Sequence, residues 1–204
     1  MFELQAFDLT MEINENTPVF PGDPKQEIKQ FATIAKDGWN EKRLSFNSHF
    51  STHIDAPYHM LESGKKLSEY PASFFFGECI VIDARGQNPI EPDLLGVTQH
   101  DMVFFLTGHT DRAYSQDFFK NNPVISRKTA EALVERKVKM VGLDSFTPDN
   151  EPYEIHKLLF KNDIPIVENL VNLKPLAGKR FECTVLPLNI RDADGAPCRV
   201  IARL

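Results

Sequence analysis

Residues 126–143, SRKTAEALVERKVKMVGL, change their apolar spacing partway along. Ser126 is suited to cap a helix, and Ala130, Leu133, Val134 and Lys137 follow at helical spacing. From Val138 to Leu143 apolar residues come closely enough to read as a buried strand. A helix that runs straight into a strand is a unit of a mixed α/β fold. Towards the C-terminus a second helix is expected over 151–161, with Ile155, Leu158 and Leu159 facing the core. Strands follow at 164–169, 181–190 and 198–203. Towards the N-terminus the strand segments are 102–107, 78–84, 42–50, 27–35 and 6–13. The start is rich in strands and the middle alternates helix and strand, so a single mixed sheet fits better than a regular doubly wound one. Gly and Pro fall in short clusters such as PVFPGDP at 18–24 and never form a long linker, so one domain is expected over 1–204.

Composition narrows the function classes. With 23 basic and 29 acidic residues the net charge is −6, and a nucleic-acid backbone would be repelled. The densest basic stretch, Arg136, Lys137 and Lys139, reads as a solvated face at a helix end. No apolar run approaches the ~20 residues of a membrane span, and the acidic start, MFELQAFDLT, does not resemble a secretory leader. The three cysteines, Cys79, Cys183 and Cys198, are scattered without C-x-x-C spacing, so neither a disulfide framework nor a zinc knuckle is signalled and a cytoplasmic protein is expected.

The histidines are distributed unevenly. Six spread at random over 204 residues would put about 0.3 in a window of eleven, yet HFSTHIDAPYH at 49–59 holds three, with Asp55 among them. His49, His53, Asp55 and His59 share one parity and would point to one face of an extended chain. A straight strand would set the Cα atoms of His49 and His53 about 13 Å apart, too far for easy sharing of one ion. A helix would turn Asp55 away from His53, and Pro57 disfavours a helical residue before it. A chain that curls near Ser51 and Thr52 and then runs extended into Pro57 satisfies both spacings. Two imidazoles and a carboxylate suit a divalent metal and leave positions open for water and substrate, the signature of a catalytic rather than a structural site. A serine hydrolase using Ser48 or Ser51 beside His49 is the rival enzyme, although no G-x-S-x-G elbow is present. Asp144, Ser145 and His109 follow strands and are weaker pocket candidates, with an ordinary turn as the simpler explanation for the first two.

HFSTHIDAPYH resembles the motif H-x-G-T-H-x-D-x-P-x-H of the cyclase family, which includes bacterial-type kynurenine formamidases and isatin hydrolases; Ser51 stands where the family has Gly. The resemblance extends to TPVFPGDP at 17–24, VGLDSFTPD at 141–149, the segment from His156 to Glu168, and the end of the chain from Thr184. It implies a swivelling β/β/α fold and a metal-dependent hydrolase of a small amide, an N-formyl or aryl amide or a lactam, which uses metal-activated water. By the same resemblance His49, His53 and Asp55 would hold one ion, and Asp55, His156 and Glu168 a second in binuclear members. His59 would be the general acid/base and Phe20 would line the substrate site. Zn or Mn, one or two ions per subunit, and a homodimer or larger homo-oligomer are expected on these grounds. On the residues alone His156 reads as a partly exposed helix histidine, and Glu168 as a carboxylate that is costly to bury without a cationic partner. A family member that binds metal or a partner without catalysis is the alternative from another class; an acid/base histidine beside the ligands favours the enzyme.

Overall fold

A computed structural model describes residues 5–204. Met1–Leu4, the opening of the acidic start, lie outside the described residues. The strands are β1 (Ala6–Asp8), β2 (Glu27–Ala32), β3 (Glu41–Ser45), β4 (His53–Asp55), β5 (Phe76–Asp83), β6 (Met102–Leu106), β7 (Met140–Leu143), β8 (Ile166–Glu168), β9 (Arg180–Pro187) and β10 (Gly195–Arg203); the helices are α1 (Ile34–Asp37), α2 (Arg127–Glu135) and α3 (Glu154–Phe160).

Eight strands form one sheet in the order β1-β10-β4-β8-β7-β6-β5-β9, and a further β9–β10 pairing joins its ends. Closure works because β10 is long. Its first residues, Gly195–Pro197, pair with β4, and Cys198–Arg203 pair with β9, so a single strand bridges both edges. The result is a mixed α/β domain around a closed, barrel-like sheet. β5 to β8 run parallel, while β4, β9 and β10 are antiparallel to their neighbours.

The period of two in each strand divides the apolar residues between two cores. Val81, Phe104, Met140, Val167 and Val200 point into the barrel. Ile80, Ile82, Val103, Phe105 and Val141 point outward, where Leu133 of α2 and Leu159 of α3 cover them. Strands buried on both faces carry apolar residues almost without interruption, which is why β6 and β7 were easily read from the sequence. Gly142 is required at the centre of β7: a Cβ there would lie 2.5 Å from the Phe104 ring. Ser126 caps α2 as its type predicts, its hydroxyl accepting from the Thr129 N–H at 3.1 Å.

Several expected strands are shorter. Only Ala6–Asp8 of the 6–13 segment enters the ladder, because Thr10 already crosses to a bridge with Leu170. β3 ends at Ser45, so 46–50 are free to turn towards the histidines. β2 and β3 form a separate two-stranded arm whose connection carries the short helix α1, which the sequence did not signal. Arg136 and Lys137 are exposed at the end of α2, as a solvated basic face requires, and Lys139 donates to the Phe76 carbonyl. The three cysteines are unpaired and buried. Among the described residues no helix is long and apolar enough to cross a membrane.

Candidate metal centre and aromatic pocket

The curl anticipated in the histidine segment is centred on Ser51, which takes φ +59° and is held there from several sides. Its hydroxyl donates to the Met11 carbonyl at 2.8 Å, and its own carbonyl accepts from Asn169 Nδ2 at 3.1 Å. Beyond the curl β4 is inserted between β8 and β10, with His53 in register with Glu168. A three-residue strand thus fixes two site residues by pairing. Gly195, opposite Asp55 on β10, makes room for His49: a Cβ there would be 2.7 Å from the imidazole Cε1.

Four side chains converge in the interior. His53 Nε2 lies 3.2 Å from Asp55 Oδ1 and 3.4 Å from Glu168 Oε2. His156 Nε2 lies 3.4 Å from Glu168 Oε1 and 3.9 Å from Asp55 Oδ2. All four are buried, so His156 is not the partly exposed helix histidine that its position beside an apolar stripe suggested. The cause is Asp149, which accepts from His156 Nδ1 at 2.5 Å and from the Ile155 N–H at 2.7 Å, turning the start of α3 inward. His53 Nδ1 is likewise engaged, donating to the Ser51 carbonyl at 2.9 Å. Both imidazoles therefore present Nε2 to the carboxylates with the other nitrogen pinned, the arrangement that orients histidine ligands around a metal.

The donor set fits a divalent cation. Asp55 and Glu168 are buried side by side, and their neighbours in the cluster are imidazoles rather than Lys or Arg. Without an ion the charge falls on the histidines. Burial disfavours the imidazolium of His156, but Asp149 and Glu168 outweigh it and raise its pKa to about 9. For His53 the opposition of burial is overcome by Asp55 and Glu168, and its pKa too is raised. A metal at the same atoms would displace those protons. His53, Asp55 and Glu168 each offer an atom within 4.8 Å of the others, and so do His49, Asp55 and His59.

The second group lies nearer solvent. His49 Nδ1 is 2.7 Å from Asp55 Oδ1 and its Nε2 is 2.8 Å from Asp194 Oδ2. His59 ends the 3-10 turn Pro57–His59, its ring tilted over that of His49 at 3.9 Å between centroids. Asp194 Oδ2 lies 3.7 Å from His59 Nδ1, linking the two rings. Ser51 spends its hydroxyl on Met11, while Ser48 is 3.5 Å from Asp194, so neither serine is paired with a histidine base.

These residues form the floor of a cavity of about 570 Å³ whose walls include Phe20, Phe118, Phe119 and Phe146. Phe20, expected from the sequence to line a substrate site, lines this cavity, meeting Phe119 edge-on at 5.7 Å and Phe146 at 6.2 Å. The cavity opens at the carboxyl ends of β6, β7 and β8, where side chains from successive loops can meet. Asp144 is a turn pin: its carboxylate accepts from the Thr107 N–H and hydroxyl and from the Gly108 N–H at 2.6–2.8 Å. Ser145 is fully buried beneath the site, and His109 lies behind the aromatic wall, not in it. Sequence reasoning missed Asp149, Asp194, Phe118, Phe119 and Phe146. The acidic pair in RDADG at 191–195 was a visible signal for Asp194, but nothing local tied it to His49.

Comparison with known proteins bears on the family and the fold. Residues 7–150 match the Cyclase family, described as "Putative cyclase". A kynurenine formamidase from Erythrobacter litoralis is 31% identical, the match covering 98% of this chain and 94% of that protein, and one from Bacillus cereus is 29% identical over 96% of each. A solved structure described as a potential metal-dependent hydrolase with cyclase activity is 27% identical, with a TM-score of 0.83 and 98% of both chains covered. An isatin hydrolase bound to the product analogue thioisatinate shares the fold at a TM-score of 0.88, with 22% identity over 99% of this chain and 93% of that one. The chain belongs to the cyclase family.

Proposed function

We propose that this chain is a metal-dependent hydrolase of a small, planar amide, an N-formyl or aryl amide or a lactam. The observation that carries this reading is the opening of one buried set of metal donors, His53, Asp55, His156 and Glu168, into a cavity walled by four phenylalanines. The relatives named kynurenine formamidase and isatin hydrolase support the same chemistry. Bound at these donors, a divalent cation supplies Lewis acidity towards a carbonyl oxygen and lowers the pKa of water. His49 would complete the first site with His53 and Asp55, and His156 with Glu168 and Asp55 would form a second. Two imidazoles with carboxylates suit Zn or Mn.

The remaining steps fall to the chain's own groups. His59 stands at the cavity, where burial, only partly offset by Asp55, pushes its imidazole below the ordinary value of ~6.5; neutral near pH 7, it would take a proton from the attacking water and deliver it to the departing nitrogen. Asp194 holds the rings of His49 and His59 in place. The phenylalanine walls exclude water from the acyl or aryl part and accept a flat ring edge-on or stacked. One domain over 1–204 would carry these groups. Phe31, Ile34, Trp39 and Leu44 are exposed on the β2–β3 arm, which pairs only with itself in the sheet topology, and this supports a homodimer or larger homo-oligomer. Three unpaired thiols suit a reducing cytoplasm.

Metal analysis of the purified protein, followed by hydrolysis assays on formanilide and a small lactam with and without chelator, tests the reading. Turnover that disappears with chelation and returns with Zn or Mn is expected. A metal-loaded protein inert towards both classes would favour a non-catalytic metal-binding member of the family.

A further inference from the structure

His109 is buried, yet it is not among the residues that line the aromatic cavity and takes no part in the cluster of metal donors. Its ring packs behind the aromatic wall, with centroids 5.2 Å from Phe118 and 5.5 Å from Phe146. Nε2 is 2.7 Å from the Phe118 carbonyl, and Nδ1 is 3.2 Å from Arg112 Nη2. A guanidinium can only donate, so Nδ1 must accept, and a carbonyl can only accept, so Nε2 must carry the proton. The two contacts together select one neutral tautomer. Arg112 also donates to the Lys120 carbonyl at 3.0 Å, so the pair holds the 109–121 loop at Phe118 and again just beyond Phe119. The base of the loop is fixed as well: the His109 N–H donates to the Thr107 hydroxyl, which Asp144 holds. Phe118 and Phe119 are on the cavity wall and meet Phe20 and Phe146 there through ring edges.

We propose that His109 is a positioning residue for substrate recognition: it clamps the Phe118 backbone and buttresses the Phe118 and Phe146 rings, and so sets the affinity of the site for the planar part of its substrate. This rests on the cavity being the substrate site. It predicts an effect that depends on ring content and bypasses the proton-transfer and metal-binding groups.

Kinetics of the metal-loaded enzyme on formanilide and on N-methylformamide, together with calorimetric titration of indole, test it. Indole is planar but has no amide to hydrolyse. For His109→Ala, KM for formanilide and the Kd of indole are expected to rise about tenfold, while kcat changes by less than about threefold and KM for N-methylformamide stays within about twofold. His109→Gln, whose amide N–H can still reach the Phe118 carbonyl, should return both values to within about threefold of the native enzyme. If His109→Ala does not fold, Arg112→Met, which removes the donor to Nδ1 and leaves the imidazole, should give the same split at about threefold. An unchanged KM for formanilide, an equal rise for both amides, or a Gln variant no better than Ala overturns the assignment. Failure of the native enzyme to hydrolyse either amide counts against the hydrolase reading instead. The indole titration then decides His109 by itself: equal affinity in native protein and variant, or no binding to either, overturns it.

Discussion

Asp101 and the pair Asp55 with Glu168 are all buried, at opposite ends of the parallel strands, and they are neutralised in different ways. Asp101 precedes β6 and is held by Arg180 through two bonds, at 2.6 and 2.8 Å, with Thr98 donating to the same carboxylate. Arg180 carries its charge at every relevant pH, so that site is complete within the chain. Asp55 and Glu168 face only imidazoles, which are neutral or charged according to what else is bound. A buried carboxylate with a guanidinium partner is architecture. Two buried carboxylates among histidines are a place for a cation from outside.

The sharpest way to break this comparison is to remove imidazoles from the histidine centre, one from the ligands and one from the proton-transfer position. His53→Ala should lose bound metal and reduce hydrolysis to the uncatalysed background, with metal content by plasma emission and turnover as the paired readouts. Retention of a full complement of metal would show that the buried cluster is not its seat. His59→Ala should keep its metal while kcat falls about 10²–10⁴-fold, the range for loss of a general acid/base. If it comes out metal-free, His59 is a ligand, as its proximity to His49 and Asp55 would permit.

The next effect is on stability. An ion that binds only the folded chain, at a hundredfold excess over its Kd, adds about 2.7 kcal/mol, so chelated protein should melt about 5–10 °C lower than metal-loaded protein. Equal melting temperatures would mean that the carboxylates of the cluster are satisfied without an ion. Asp101→Asn should keep its metal and lose about 1–3 kcal/mol at pH 7, the range for a buried hydrogen bond to a charged group. The sign with pH follows from the pair. Burial pushes the Asp101 carboxyl up, but Arg180 and Thr98 outweigh it and hold it below the usual range. The folded state therefore binds this proton less readily than the unfolded chain, and the stabilisation is present above about pH 4 and lost as the pH falls through the folded value. The melting temperatures of native protein and variant should converge below about pH 4; a constant gap would mean that the carboxylate charge contributes nothing there.

How much of this was legible depended on how local the determining interactions are. Ser126, Ala130 and Leu133 announce α2 because capping and helical periodicity act over a few residues. The curl at Ser51 could be inferred because a straight strand sets His49 and His53 too far apart and a helix turns Asp55 away from His53. Phe104 and Val141 reveal their strands through burial on both faces, but β4 and β8 are three residues each and acquire their identity from pairing. On the residues alone His156 reads as partly exposed, and only the family resemblance makes it a ligand, because Asp149, which draws it inward, acts through a loop-to-helix hydrogen bond that leaves no periodic trace.

The sequence by itself determined the class of fold, the concentration of metal-competent side chains at 49–59, and, through its motif, the family. These are matters of local spacing and residue type, which survive in one dimension. Tertiary structure alone decided that Asp194 would meet His49, 145 residues away, that Glu168 would lie in register with His53, and that phenylalanines from separate loops would wall one cavity. Those contacts depend on closure of the barrel through β10 and on the loops gathered at one edge of its parallel strands. Contacts between residues so far apart are set by packing and strand register, which no short stretch of chain encodes.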